Sequence, residues 1–295
     1  MNHPTILIQI DGDQHPSVFD SVVAIDSDVD QLLRYGQVTP AQVRQLVHGA
    51  MFTRGPAQLH HTAIFIGGSD VAVGEAIAAE VQLAFFGPVR VSVMLDGNGS
   101  NTTAAAAVLC AARHVALSEV DALVLGGTGP VGQRVARLLL SQGARVRLAS
   151  RDHGRAQAAC DQLNSKVDDA AKRLEAVGTS DSQSLRQHLS EATAVFGCGA
   201  AGAQLISSEQ LAAAQQLKIA IDLNAVPPAG IEGVAVTDKA VSRGDRVDYG
   251  AIGVGGLKMK IHRESIRTLF TRNDLVLDAE QIFEIGRNLE LATMV

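Results

Sequence analysis

The stretch Asp121-Ala-Leu-Val-Leu-Gly-Gly-Thr-Gly-Pro-Val-Gly132 runs from an aliphatic strand into a glycine-rich turn, and a helical pattern follows at once. Gly127, Gly129 and Gly132 fit G-x-G-x-x-G. In that pattern the first glycine turns the chain, the second lets backbone approach a pyrophosphate, and the third packs helix on strand. Thr128, Pro130 and Val131 complete the turn, and the helix N-terminus beyond it offers N–H groups to an anion. The spacing predicts a strand over 121–125, a helix over 131–140 and a second strand over 144–149. That strand–turn–helix–strand context makes the match a dinucleotide site rather than a bare turn.

The end of the second strand reads the cofactor. Where NAD is preferred, an Asp or Glu there bonds the ribose 2′-hydroxyl. Here Ser150 and Arg151 stand instead. A hydroxyl and a planar guanidinium suit a 2′-phosphate, which a carboxylate would repel. The expectation is NADP, although Asp152 is placed to pair with either Arg151 or Arg155. Arg155 reads either as a second phosphate clamp or as a solvated helix charge.

Composition narrows the function classes. The chain has 295 residues, no Trp and a formal net charge of -6 with no long basic run, so nucleic acid is not an expected partner. Cys110, Cys160 and Cys198 lie far apart, and no histidine pair has metal-ligand spacing, so neither disulfide framework nor metal is expected. The start of the chain lacks the pattern of a signal peptide and no run reaches membrane-spanning length. A cytoplasmic protein is the expectation.

Before the dinucleotide turn, short aliphatic runs predict strands over 5–10, 62–67 and 90–95. Thr39-Pro40 and Asp70 open helices between them. Residues 100–116 read as a capped, alanine-rich linking helix. Later strands are expected over 192–197, 218–223 and 233–236, and helices over 258–270 and 278–291. The fold class is α/β: a Rossmann-like NADP domain (116–264) plus an N-terminal α/β substrate domain (1–115) completed by C-terminal helices (265–295), with a cleft between them.

Polar and glycine residues outside the motif mark candidate ligand contacts. Pro16-Ser-Val-Phe-Asp20 follows the first strand and sets Phe19 beside Asp20. Residues 96–103 place Asp96, Asn98, Ser100, Asn101, Thr102 and Thr103 after the third strand, a run longer than a helix cap needs. Residues 250–260 are glycine-rich, include Gly253, and end in Lys258 and Lys260; spacing of two puts both lysines on one face only in a strand. Asn224 closes a strand where doubly wound sheets meet their ligands, and is a candidate for the nicotinamide or the substrate.

Taken together, Pro16-Ser-Val-Phe-Asp20, Gly36-x-Val-Thr-Pro40, Phe52-Thr-Arg-Gly55, Thr62-Ala-Ile-Phe-Ile-Gly-Gly68, Phe85-Phe-Gly-Pro88, Met94-Leu-Asp-x-Asn-Gly-Ser-Asn-Thr-Thr103, the dinucleotide turn and Gly255-Gly-Leu-Lys-x-Lys260 resemble the NADP-dependent methylene-tetrahydromethanopterin dehydrogenases. The resemblance runs from about residue 5 to residue 270. It implies oxidation of a methylene-tetrahydropterin of one-carbon metabolism to the methenyl form, with hydride passing to the nicotinamide, on a tetrahydromethanopterin or tetrahydrofolate carrier. It further implies Lys258, Phe19 and Asp20 as the catalytic set, the 98–103 loop and Lys260 near the pterin, and a trimer-based homo-oligomer. The chain departs from the family at Asp152, where the family carries a basic residue, and this departure implies a less strict NADP preference, with NAD used at lower efficiency. Two alternatives stand beside this reading: another two-domain NADP dehydrogenase, such as one of the shikimate dehydrogenase type, and a non-catalytic NADP-sensing module.

Overall fold

The computed structural model describes residues 3–292. The chain divides into two compact units, one formed by residues up to Thr102 together with those from Met259 onward, the other by Thr103–Lys258. The divisions fall inside two continuous helices, each earlier in the chain than the expected 115/116 and 264/265.

The first unit begins β1 (Ile6–Ile10), α1 (Val18–Ile25), β2 (Gln31–Tyr35), α2 (Pro40–Phe52), β3 (Thr62–Ile66), α3 (Val71–Leu83) and β4 (Ser92–Leu95), and leads into α4 (Ser100–Ala112). The second follows with β5 (Asp121–Leu125), α5 (Pro130–Ser141), β6 (Arg145–Ser150), α6 (His153–Asn164), β7 (Leu174–Gly178), α7 (Ser182–Glu191), β8 (Ala194–Gly197), α8 (Ser208–Ala213), β9 (Ile219–Asp222), β10 (Lys239–Arg243) and β11 (Arg246–Tyr249). Helix α9 (Ala251–Leu269) returns the chain to the first unit, which ends in β12 (Val276–Leu277) and α10 (Ala279–Ala292).

In the first unit the strands order β12-β4-β3-β1-β2, every pair parallel. Alternation along the strands divides the core. Ile8, Ile10, Ile64, Ile66, Val93 and Leu95 point to one face and pack with Val43, Val47 and Met51 of α2 and Ile77 and Val81 of α3. Gln9 and Phe65 point to the other face, where they meet Ser21 of α1 and His262 of α9. The order reverses between β1 and β3, the point where open α/β sheets receive ligands. Helix starts are set as the sequence suggests: Thr39 N–H donates to Gln42 at 2.9 Å, and Asp70 accepts from Ala72 and Val73 N–H.

The second unit's sheet orders β10-β11-β9-β8-β5-β6-β7, parallel except for the β10–β11 pair. Read from β7 to β11 this is the 3-2-1-4-5-6 order of dinucleotide-binding sheets, with its switch point between β5 and β8.

Several expectations need correction. The segment 233–236 forms no strand; the sheet is extended instead by the β10–β11 hairpin, whose charged residues masked it. There the fully buried Asp248 is held by Arg243 at 2.8 Å and Arg246 at 2.6 Å, a pairing that lets a charged strand be buried. Strand β2, an exposed edge, carries Gln31 and Arg34 and lacks the aliphatic pattern of a central strand. The glycine-rich 251–257 stretch belongs to α9, which starts at Ala251, seven residues earlier than the expected 258.

Candidate functional site

At the carboxyl edge of the second unit's sheet, the 126–132 turn joins β5 to α5. Gly126, one residue before the expected motif, makes the left-handed turn with φ +66; a Cβ there would lie 2.6 Å from Gly199 backbone. Gly127, expected to turn the chain, is a glycine for a different reason: a Cβ would meet Leu148 Cγ at 2.7 Å and Val124 O at 2.9 Å. Gly132 packs the helix on the turn, its Cβ position 2.7 Å from Gly126 O. At Gly129 a Cβ would find only ordinary contact, 3.4 Å from Gly126 O. With Pro130 at the first helical position lacking an N–H, the Val131 and Gly132 N–H groups head α5 without intrahelical acceptors. The Thr128 carbonyl is held by Gln133 Nε2 at 2.9 Å.

Beside this turn, β6 ends at Ser150, whose Oγ accepts from Asp152 N–H at 3.2 Å. The Asp152 carboxylate caps α6 by accepting Arg155 N–H at 3.2 Å. That oxygen is thereby committed to the helix start. Arg151 and Arg155 are exposed, and among the described residues neither guanidinium has an ion-pair or hydrogen-bond partner. Arg147, on the same strand, is buried among Asp121, Glu175 and Glu191.

Two expected cofactor contacts have other work. Asn224 is buried; its Nδ2 donates to Pro228 O at 2.9 Å and its Oδ1 accepts from Val226 N–H at 3.0 Å, so its amide closes its own loop. Gly253 lets the first turn of α9 lie against the Asp238 carbonyl, where no Cβ would fit. Sequence reasoning also missed Asp222, buried at the end of β9. Burial pushes its carboxyl above the ordinary range, against the N–H groups of Ile231, Asn224 and Gly230 that hold it down. Burial likewise pushes the Cys198 thiol upward, with Asp222 adding to the effect, so it is no ready thiolate.

In the first unit the 96–103 run is mostly turned inward. Asp96 is fully buried and accepts from Asn101 N–H at 2.8 Å, Thr102 N–H at 3.1 Å and Thr102 Oγ1 at 2.7 Å. Ser100 donates to Gly97 O at 2.7 Å, and Asn101 Nδ2 donates to Leu95 O at 2.6 Å and Asp278 at 2.9 Å. Because the start of α4 is buried, its N–H groups must find partners within the protein, which explains this density of polar residues. Asn98, in the left-handed region at φ 52, and half-buried Thr103 are the members left toward the surface.

Phe19 and Asp20 sit in the first turn of α1. Phe19 is 49% exposed, its ring 6.3 Å from that of His262, which in turn stacks on Phe65 at 5.6 Å; Asp20 is buried. Asp11, just past β1, was not anticipated. It is fully buried, and its carboxylate accepts Asp13 N–H at 2.8 Å and Ser17 N–H at 3.2 Å. Burial pushes its carboxyl above the ordinary range, and Asp13 adds to that, while the two N–H bonds oppose it. An Asp preceding a Gly-Asp-Gln turn resembles any loop start, so only the sheet order singles it out.

On α9, Lys258 is half-buried and shares a face with His262, four residues on. Lys260 is exposed and, two residues along a helix, points away from Lys258. Because the segment is helical, the two lysines do not share a face, and Lys260 is the surface charge of the two. Gly255 and Gly256 have open space at the Cβ position.

Residues 18–98 match the family described as "Methylene-tetrahydromethanopterin dehydrogenase, N-terminal", and residues 122–233 match the "NAD dependent epimerase/dehydratase family". The chain is 42% identical to the "Bifunctional protein MdtA" of Methylorubrum extorquens, over 96% of this chain and 98% of that protein. It is 29% identical to the "NAD(P)-dependent methylenetetrahydromethanopterin dehydrogenase" of the same organism, over 92% and 94%. Among solved structures, 5-ketofructose reductase of a Gluconobacter strain superimposes with a TM-score of 0.53 at 12% identity, covering 98% of this chain and 100% of that one. Shikimate 5-dehydrogenase from Listeria monocytogenes gives 0.52 at 13% identity, covering 98% and 97%. At such identities these two structures speak for the fold alone.

Proposed function

This chain belongs to the methylene-tetrahydromethanopterin dehydrogenase family, and we propose that it oxidises methylene-tetrahydromethanopterin to the methenyl form with NADP as hydride acceptor. The observation that carries this reading is the end-to-end 42% identity, which spans both the N-terminal family match and the dinucleotide turn. In the reaction one C–H bond of the methylene carbon breaks and its electron pair leaves with the hydrogen. The carbon becomes an amidinium-type cation shared with its two nitrogens, so no proton is released and no base is needed. What remains for the protein is positioning and electrostatics.

The residues present fit a dinucleotide phosphate. Gly129 leaves the turn open, the Val131 and Gly132 N–H groups suit a pyrophosphate, and Ser150 with the exposed Arg151 and Arg155 suits a 2′-phosphate. Bound NADP supplies the electrophilic ring carbon that takes the hydride. For the pterin we assign Phe19 as the apolar wall, Asp20 as the acceptor for ring N–H groups, and Lys258 as donor to a pterin carbonyl. A lysine ammonium close to the methylene carbon would oppose the forming cation, so its place is at the far side of the ring.

Cytoplasmic location and homo-oligomerisation belong to the same proposal. No helix among the described residues is long and apolar enough to cross a membrane. Val18, Val22 and Ile25 form an exposed row on α1 near Leu33 and Tyr35 of the edge strand β2, the kind of surface a second copy covers. The function is tested by offering the purified chain methylene-tetrahydromethanopterin or methylene-tetrahydrofolate with NADP or NAD and following reduced nicotinamide absorbance. Turnover with the methanopterin substrate and NADP is expected; no turnover with either pterin would overturn the reading.

A further inference from the structure

We propose that Asp11 is a positioning residue for the pterin, acting by fixing the first turn of α1 and with it Phe19 and Asp20. This rests on the dehydrogenase reading above. Asp11 stands at the carboxyl end of β1, beside the switch point between β1 and β3. Its carboxylate bridges two points of the connection to α1, the N–H groups of Asp13 and Ser17. Ser17 is the N-cap of α1, its Oγ accepting from Asp20 N–H at 3.2 Å. The Ser17 carbonyl is held from the other side by Gln9 Nε2 at 3.2 Å and Ser21 Oγ at 2.8 Å, and Ser21 Oγ also reaches Gln9 Oε1 at 2.9 Å. The cap that sets the direction of Phe19 and Asp20 is thus clamped at both its N–H and its C=O by buried groups on and just past β1.

The clamp also shapes the space beside it. Around Gly67, at the carboxyl end of β3, Asp11 Oδ2 and Asp20 Oδ2 each lie 3.4 Å from where a Cβ would stand, and Phe65 Cε1 lies at 3.2 Å. Gly67 does not adopt a left-handed conformation, so backbone strain does not require glycine here. Its missing side chain leaves a niche between the two carboxylates, at the position where sheets of this order meet their ligands. Asp11 has both oxygens engaged by backbone and is fully buried, so it acts through α1 and not by touching the substrate.

The test compares wild type with Asp11→Asn, Asp11→Ala and Gly67→Ala in the full chain. Kinetics with methylene-tetrahydromethanopterin are combined with NADPH binding by fluorescence and amide hydrogen exchange over residues 13–22. Losing a hydrogen bond to a charged group predicts a rise of about tenfold or more in KM for the pterin in Asp11→Ala. Asp11→Asn keeps one acceptor oxygen and should fall between it and wild type. In both, NADPH affinity should stay within about twofold of wild type, and exchange at 17–20 should quicken while β3 and β4 amides stay protected. Gly67→Ala should raise KM with exchange at 17–20 unchanged. Unchanged KM and exchange in the Asp11 variants, or a parallel loss of NADPH affinity and protection everywhere, would overturn the proposal. If wild type oxidises no methylene-pterin, the functional reading fails, and local exchange alone then decides whether Asp11 fixes α1. Should Asp11→Ala not fold, Asp11→Asn carries the comparison.

Discussion

At the carboxyl edge of the β5–β11 sheet the turn presents Val131 and Gly132 N–H groups and two guanidiniums that have no partner among the described residues, whereas at the edge of the β1–β4 sheet Asp11 and Asp96 are buried and bonded to their own loops. The first edge leaves open groups of the kind that suit an anion. The second builds a rigid frame from buried carboxylates and exposes only a few side chains upon it. Polar residues next to a ligand are thus of two kinds, and burial with partner count tells them apart.

The largest effect is expected from a methyl group at the dinucleotide edge. Gly126→Ala should destabilise the chain by at least about 3 kcal/mol, since it forces a left-handed φ on alanine and a backbone clash at Gly199. Urea unfolding measures it, and a cost below about 1 kcal/mol would mean the turn adapts. Next in size, Lys258→Ala should lower kcat on the order of 100-fold while leaving NADP affinity unchanged. Steady-state kinetics with NADP titration check this, and unchanged turnover removes Lys258 from the site.

Arg151→Ala should raise KM for NADP about 10- to 100-fold and leave KM for NAD nearly unaltered, because only NADP offers a phosphate to the lost guanidinium. Equal effects on the two cofactors would refute the role. The smallest effect is expected on α9: Gly256→Ala, with open space at Cβ, should raise stability by about 0.8 to 1 kcal/mol in urea unfolding. A loss of stability would show that this face is packed.

How far the sequence could be read follows the same division. The β5–α5–β6 unit was legible because a glycine motif leaves few alternatives, and the expected strand over 121–125 is β5 itself. Strands β2, β10 and β11 were not, since edge position and internal ion pairs replace the aliphatic pattern that marks a buried strand. The 96–103 run looked like a binding loop because a buried helix start and a ligand site ask for the same residue types. Gly253 and Asn224 show the same overlap, since glycine and Asn serve close packing and loop closure as readily as ligands. Asp11 stayed hidden because its importance lies in the order of strands, which is a property of the fold and not of its neighbours in sequence.

The central claim is direct hydride transfer from the pterin to the nicotinamide with no solvent proton involved. It is tested most directly with methylene-tetrahydromethanopterin carrying two deuterium atoms at the methylene carbon, one of which must leave and one stay, following the label in the products by NMR. The account predicts NADPH bearing deuterium at C4 of the nicotinamide and no deuterium lost to water. NADPH without the label, or no NADPH at all, would contradict it.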